Sequence, residues 1–574
     1  MRRRDLLALT ALAGAAVLLS GCVGIPTSGP VHEGGGVANE RDDPFTRPIV
    51  APPRVGMSAK QVVQGFLLAA ASFDDDHAVA REFLTADAAR TWNADAGVTV
   101  YDSSAPTALR YTARPGGVVR FSAPLAGRIS RQNEYDAQPG GVMHQDFRLA
   151  QVAGQWRIAR LADGLLLNTY DIGRSYRQYD VYFPDPSRTV LVPEPVLVPV
   201  GPGVSTSLVR ALMAGPSPWL APAVRTAIPA GSKLVVDSAP ISDGVVQVNL
   251  TAPAATAVGR EAAAMSAQFV WTLRQLSGVS AIRLSVEDVP VRVPGVGAVQ
   301  TPDVWPSFDP DGEAANADAF FEAGGRLQEL KNDRAVAVQG PAGNGRVALS
   351  RPAVSFDETM VAGLDPSGRR LIVGQLGADG HLVTAVDGRS LTPPSWDRFG
   401  AVWAVDRTAR GPVLWQVRPG QGAHLVATRG LPRGEVTAFR VARDGVRVAA
   451  VVRGPHGGML YLGRIERAGD QPVVGGFRPL RTRFADVIDV AWASADRIAV
   501  LARITSDSAG QPWIVDLYGA TIQALGPVPG QLVASLSAAP THPVLAATAS
   551  GTIFWFSGIG WTALGKGSGP AYPG

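Results

Sequence analysis

The spacing of apolar and polar positions divides the 574-residue chain into stretches of different kind. Behind Ser58, which suits an N-cap, Val62, Phe66 or Leu67 and Ala70 recur on one helical face. A second helix is predicted from near His77 to Trp92, with Val79, Phe83 and Ala86 as its stripe. Strand-like runs follow at Ala108 to Ala113, Val118 to Leu125, Phe147 to Val152 and Gln155 to Leu161. The last two are joined by a tight hairpin signal at Ala153-Gly154. Two helices and an antiparallel meander predict an α+β domain over residues 57–180.

Residues 181–293 read differently. Val190 to Val192 and Val196 to Val200 are short strands with prolines between them. A helix starting at Ser205 or Thr206 carries Leu208, Leu212 and Met213 and stops at Gly215-Pro216. Strands at Lys233 to Val236, Val245 to Leu250 and Ala281 to Val286 frame a long helix, Arg260 to Leu276. Met265, Phe269, Leu273 and Leu276 lie along one stripe of that helix. The first domain is similar in element order to the cone-shaped domains of the nuclear-transport-factor-like type. The second resembles the GerMN domain, a small α/β module of bacterial envelope and spore proteins. The residues carrying that match are Tyr182-Phe183-Pro184, Ala211-Leu212-Met213-Ala214-Gly215-Pro216 and Ala227-Ile228-Pro229-Ala230-Gly231-Ser232-Lys233. Val248-Asn249-Leu250 and Gln268-Phe269-Val270-Trp271-Thr272-Leu273 complete it. Each piece has a structural reason, a helix stop, a turn or a sheet cover, and none carries chemistry.

Residues 294–318 read as a linker. From 319 to 574 no long helix is predicted, and turn signals recur, each before an apolar strand. They are Asp365-Pro366-Ser367-Gly368, Arg410-Gly411-Pro412, Asp444-Gly445, Ser494-Ala495-Asp496 and Thr541-His542-Pro543. Steps of roughly forty to forty-five residues match a four-stranded propeller blade. The segment is thus predicted to be an all-β propeller of five or six blades, closed by Thr552 to Trp555. Trp403, Trp415, Trp492, Trp513, Trp555 and Trp561 alternate within strand patterns, as residues packed between sheets do.

The head of the chain is the most specific segment. Arg2-Arg3-Arg4 precedes an uncharged stretch from Leu6 to Leu19, which is too short for a membrane span and shaped like a secretory signal over residues 1–21. Arg3-Arg4-Asp5-Leu6-Leu7 is similar to a twin-arginine export signal, with general secretion an equal alternative. The exit Leu18-Leu19-Ser20-Gly21-Cys22 resembles the lipobox of bacterial lipoproteins. That resemblance implies cleavage before Cys22, a diacylglyceryl group on its sulfur and an acyl group on its new amino terminus. Cys22 is the only cysteine, so no disulfide forms within the chain. Residues 22–56, with Gly34-Gly35-Gly36 and Pro52-Pro53, read as a spacer between anchor and folded domains. Lys+Arg 53 against Asp+Glu 49 leaves a near-neutral protein once Arg2, Arg3 and Arg4 depart, which is no nucleic-acid signature.

A catalytic constellation is not evident. His32, His77, His144, His381, His424, His456 and His542 are scattered, none paired at metal-ligand spacing. No nucleophile elbow, phosphate loop or dinucleotide fingerprint points to a cofactor. Asp74-Asp75-Asp76 reads as a solvated connection with helix capping. Asp309-Pro310-Asp311-Gly312-Glu313 reads as a turn, because its glycine is misplaced for a calcium loop and the bidentate glutamate is missing. The order of lipobox, spacer, α+β domain, GerMN-like domain and propeller resembles the actinobacterial LpqB lipoproteins over essentially the whole chain. That resemblance implies an accessory protein at the extracytoplasmic face of the cell membrane, anchored in the bilayer through Cys22. Its implied partner is the sensor kinase MtrB of the MtrA–MtrB two-component system, with effects on cell-wall homeostasis and division. The rivals are an envelope glycan-binding scaffold and a glycan-active enzyme with paired carboxylates in the propeller mouth.

Overall fold

The computed structural model describes residues 50–574 except 74–75, 114–116, 132, 202, 313–317, 332–333, 468–470, 518–520 and 531. The signal segment and Cys22 lie outside the described residues. Helix α1 (Ala59–Ala69) opens with a full capping box: the Ser58 hydroxyl accepts from the Gln61 N–H, and the Gln61 side chain accepts from the Ser58 N–H. The stretch read as one helix from His77 to Trp92 is two, α2 (Ala78–Arg81) and α3 (Ala86–Thr91). The break lies where Leu84 bridges to Ile158 and the Thr85 N–H donates to the Ile158 carbonyl. Thr85 then caps the second helix through its hydroxyl. A pairing 73 residues away overrides the local periodicity.

Six strands follow: β1 (Val98–Tyr101), β2 (Ala108–Thr112), β3 (Val118–Ile129), β4 (Tyr135–Val152), β5 (Gln155–Arg160) and β6 (Leu165–Asn168). They form a sheet in the order β5-β4-β3-β1-β6, with β2 also on β3. Ala153 and Gly154, both at positive φ, make the β4–β5 hairpin. The helices cover one sheet face, burying Val119, Phe121, Phe147, Leu149 and Ile158 against Val62, Phe66 and Phe83.

A short helix α4 (Thr169–Ser175) leads into β7 (Tyr176–Pro184), which pairs with β8 (Leu191–Pro199). The two short strands expected on either side of the prolines are one continuous strand. The Leu197 N–H donates away from β7, to the Asn133 carbonyl, so Pro193, Pro195 and Pro199, which share its parity, remove no ladder bond. Tyr176 belongs to the first domain's core, whereas Tyr179 to Phe183 belong to the second's, so one strand joins the two. The second domain continues with α5 (Val204–Met213), β9 (Ile241–Ser242), β10 (Val245–Leu250), α6 (Arg260–Leu273), β11 (Ala281–Val286) and β12 (Val289–Pro290). Parallel pairing of β10 with β11 around α6 makes a βαβ unit. Met265, Phe269, Leu273 and Leu276 are all buried. Residues 233–236 run beside β10 by the Leu234–Leu250 bridge alone and form no strand.

The stretch 294–318 is no free linker where it is described. Its β13 (Val299–Gln300) pairs with β11, and Phe308 enters the second domain's core. The Trp271 and Arg274 side chains donate to the carbonyls of Trp305 and Pro302. Trp305 and Phe308 give the segment the apolar surface with which it docks.

Between 319 and 571 the described residues form six four-stranded blades. The expected closing strand at 552–555 is the third strand of the last blade. Closure is made by Ser568–Ala571, which supplies the inner strand of the first blade and pairs with Ala319–Ala323. The five turn signals are not equivalent. Those at Asp365 and Arg410 join second to third strands, whereas those at Asp444, Ser494 and Thr541 join first to second. Turn chemistry is the same wherever two antiparallel strands connect, so a drift of one strand leaves no mark in the sequence. Parallel pairing of Ala427 and Thr428 with Val473 and Val474 fuses the third and fourth blades into one sheet of eight strands. Trp403, Trp492 and Trp513 are buried between blades, while Trp415, Trp555 and Trp561 are partly so.

Candidate functional site

Two places have the convergence expected of a functional site: the propeller's centre and the seam where three modules meet. Neither was read from the sequence, whose one named site residue, Cys22, lies outside the described residues.

The propeller's central cavity is lined by residues from the innermost strands of all six blades, among them Arg351, Ser395, Arg440, Trp492, Ser535 and Tyr572. Its volume is about 80 Å³, well below the several hundred cubic ångströms of a pocket for a drug-sized ligand. Arg440 donates to the Pro393 carbonyl at 3.1 Å, and its guanidinium lies 3.8 Å from Asp489. Burial lowers the Arg440 pKa, and the Asp489 charge opposes that shift. Asp489 is itself fixed by the N–H groups of Val490 and Leu536. No carboxylate side chain lines this cavity among the described residues, so the paired acids that glycoside hydrolysis uses are not brought together here.

The seam is built by the turns joining the first and second strands of several blades. Arg447, 3% exposed, holds Asp444, 0% exposed, through Nε at 2.6 Å. Its other two nitrogens donate to the carbonyls of Pro193 on β8 and Ala495 on the next blade. Its guanidinium lies over the Trp492 ring, 5.2 Å from the centroid. Neighbouring Val446 enters the second domain's core. Arg398 donates to the Asp309 carbonyl, which draws the docked 299–311 stretch against the propeller. At the far side, the Trp219 indole donates to the Gly476 carbonyl at 2.6 Å, with Arg478 stacked 4.1 Å over its ring. Arg478 also pairs with Glu134 of the first domain at 2.5 Å, so one arginine touches all three modules. Glu194 is buried, and burial raises its pKa, with Ser217 opposing by donating from N–H and hydroxyl. Asp311 is raised to about 7 by burial first, then by the charges of Asp309 and Asp496.

The residues singled out for possible chemistry are dispersed. Among the described residues no group of three His, Cys, Asp or Glu could hold a metal ion. The expected capping role of the acidic run is corrected: His77, not an aspartate, holds the N-cap position, and it makes no side-chain cap bond. Asp76 instead pairs with Arg81 at 2.7 Å; Asp74 and Asp75 lie outside the described residues. His77 packs edge-on against Phe73 and Trp92, and burial lowers its pKa. The Asp309–Gly312 stretch is a turn, with the Asp309 carboxylate accepting from the Asp311 N–H. Arg447 was missed because Asp444-Gly445 was read only as a turn. The signal available was an arginine three residues beyond a turn aspartate.

Comparison with known proteins agrees with this layout. Residues 52–173 match the family model "Lipoprotein LpqB, N-terminal domain", residues 180–292 match "Sporulation and spore germination", and residues 325–573 match "Lipoprotein LpqB beta-propeller domain". Lipoprotein LpqB of Thermobifida fusca is 34% identical, covering 97% of each chain. Lipoprotein LpqB of Streptomyces coelicolor is 32% identical over 100% of this chain and 98% of its own. Among solved structures, TolB from Acinetobacter baumannii aligns at a TM-score of 0.35 and 16% identity, over 44% of this chain and 65% of that one. No described helix is long and apolar enough to cross a membrane. Matched module by module and along almost its entire length, the chain belongs to the Lipoprotein LpqB family.

Proposed function

We propose that this protein is a lipid-anchored extracytoplasmic accessory factor that binds the MtrB sensor kinase and modulates MtrA–MtrB signalling, and through it cell-wall homeostasis and division. The observation that carries the reading is the Leu18–Cys22 motif at the head of a chain related to LpqB lipoproteins from end to end. Acylation at Cys22 would hold the protein in the layer where a kinase ectodomain stands. Confinement on a tether raises effective concentration, on the order of millimolar for a short linker, and so populates a contact that would be weak in solution. The docked modules suit such a partner, because a body with fixed relative surfaces can favour one conformation of a receptor over another. Unequal affinity for the two receptor states is what changes signalling.

The test has two parts. Recovery from intact membranes, with anchored protein as bait, is expected to bring down the kinase, and to lose it when the propeller is deleted. Replacement of Cys22 by alanine is expected to weaken regulation even when the protein is exported and folded. Full regulation by the unacylated protein would defeat the tethering account, and recovery of cell-wall polymer without kinase would defeat the partner.

A further inference from the structure

The outer face of the amino-terminal sheet carries arginines that the fold does not account for. Along β2 to β5 one parity of side chains fills the core beneath the helices. The other parity presents Arg110 on β2, Arg120 on β3, Arg148 on β4 and Arg160 on β5. The register sets Arg110 directly opposite Arg120, and Arg148 directly opposite Arg160. Like charges facing each other across paired strands lower stability, so nothing in folding favours the arrangement. One carboxylate answers them: Asp146 takes the Arg120 guanidinium in a two-pronged bond at 2.6 and 2.7 Å. That bond is the first cause holding the Asp146 pKa below its usual range, with Arg148 and His144 adding to it. Within residues 108–112, 118–125, 142–152 and 155–160 Asp146 is the sole acid against these four arginines and the half-buried Arg157, which lies opposite Ala150, so the strands carry a net charge of about +4. Arg110, Arg148 and Arg160 are exposed, and the Arg120 side chain is 58% exposed.

A second observation says what would meet this face. The first described residues pack Val50 and Met57 against the helix-covered core and touch the sheet at its β5 edge, where the Gly56 N–H donates to the Gln155 side chain at 2.8 Å. Residues 22–49 span at most about 100 Å, so a bilayer holding an acylated Cys22 would lie within that reach of the domain.

We infer that the Arg110–Arg120–Arg148–Arg160 face is a docking surface for an anionic phospholipid bilayer, against which the amino-terminal domain lies. The inference uses the anchored reading only to bring the bilayer near; the attraction itself needs no acyl chain. Each arginine held near an anionic leaflet strengthens binding roughly fivefold, and the attraction fades beyond a Debye length of about 10 Å at 0.1 M salt.

The experiment is cosedimentation of the full chain carrying Cys22→Ser with vesicles of phosphatidylcholine alone or with 30% phosphatidylglycerol, at 50 and 300 mM KCl. The parent is expected to prefer the anionic vesicles at low salt and to lose that preference at high salt. R110Q/R148Q/R160Q is expected to bind the anionic vesicles at least tenfold more weakly with an unchanged melting temperature. R110K/R148K/R160K is expected to keep the binding, since a headgroup surface asks for charge rather than for a planar fork. Undiminished binding by the glutamine variant, or capture of soluble teichoic acid with no preference between the vesicles, would overturn the inference. Because the assay contains neither acylated protein nor kinase, its outcome is separate from the fate of the signalling reading.

Discussion

Replacing Arg447 by methionine keeps the apolar stem and removes the guanidinium at the centre of the three-module seam. Asp444 would then stay buried with only the N–H groups of Val446 and Arg447 for its Oδ1, at 2.6 and 2.9 Å, and no counter-charge. The carbonyls of Pro193 and Ala495 would lose their donor as well. Removing one partner of a buried pair destabilises by about 3–5 kcal/mol, because the survivor remains desolvated. Two unpaired carbonyls act in the same direction, but local rearrangement shares these terms, so the sum stays near the upper end of that range. For a module of this size 1 kcal/mol corresponds to roughly 2–4 °C, so the propeller transition is expected about 10–20 °C lower. Tryptophan fluorescence is the assay, since Trp492 sits 5.2 Å from the guanidinium and reports the site directly. Adding Asp444→Asn removes the stranded charge, and the double variant is expected to recover part of the loss. A methionine variant melting within 2 °C of the parent, or a double variant less stable than the single one, would refute the view that charge pairing holds this seam.

Further outcomes follow from other sites. Ser58→Ala dismantles the capping box of α1 and is expected to lower the stability of the amino-terminal domain by about 1 kcal/mol, read by urea denaturation of the parent and variant chains. Trp219→Ala removes the indole bond to Gly476 and the Arg478 stack, so amide exchange along residues 473–479 is expected to speed up while the inner strands stay protected. Asp311 sits at about 7 when folded and near 4 when unfolded, so its contribution is complete below pH 4 and disappears as pH rises through 7. The melting temperature of Asp311→Asn is accordingly expected to fall less between pH 5 and 8 than that of the parent; parallel profiles would contradict the buried, raised carboxyl.

What the sequence determined by itself is what neighbouring residues decide together. Ser58 with Gln61 specified a helix start, Ala153-Gly154 a hairpin, and the Met265–Leu276 stripe a sheet-covering helix, each through contacts only a few residues apart. Fold class and family were legible for the same reason, since they rest on the order of such local signals. Tertiary structure decided everything that depends on distant partners. The Leu84–Ile158 bridge cut a periodic helix in two. Outward-facing N–H groups let one strand run through its prolines. The strand at 568–571, nearly 250 residues from its partner at 319–323, closed six blades where turn spacing left five or six open. The arginines at the seam and on the outer sheet face were invisible as a set, because register and docking bring them together from separate strands. Side-chain identity fixes what a residue can bond to, but only chain closure decides which groups are within reach.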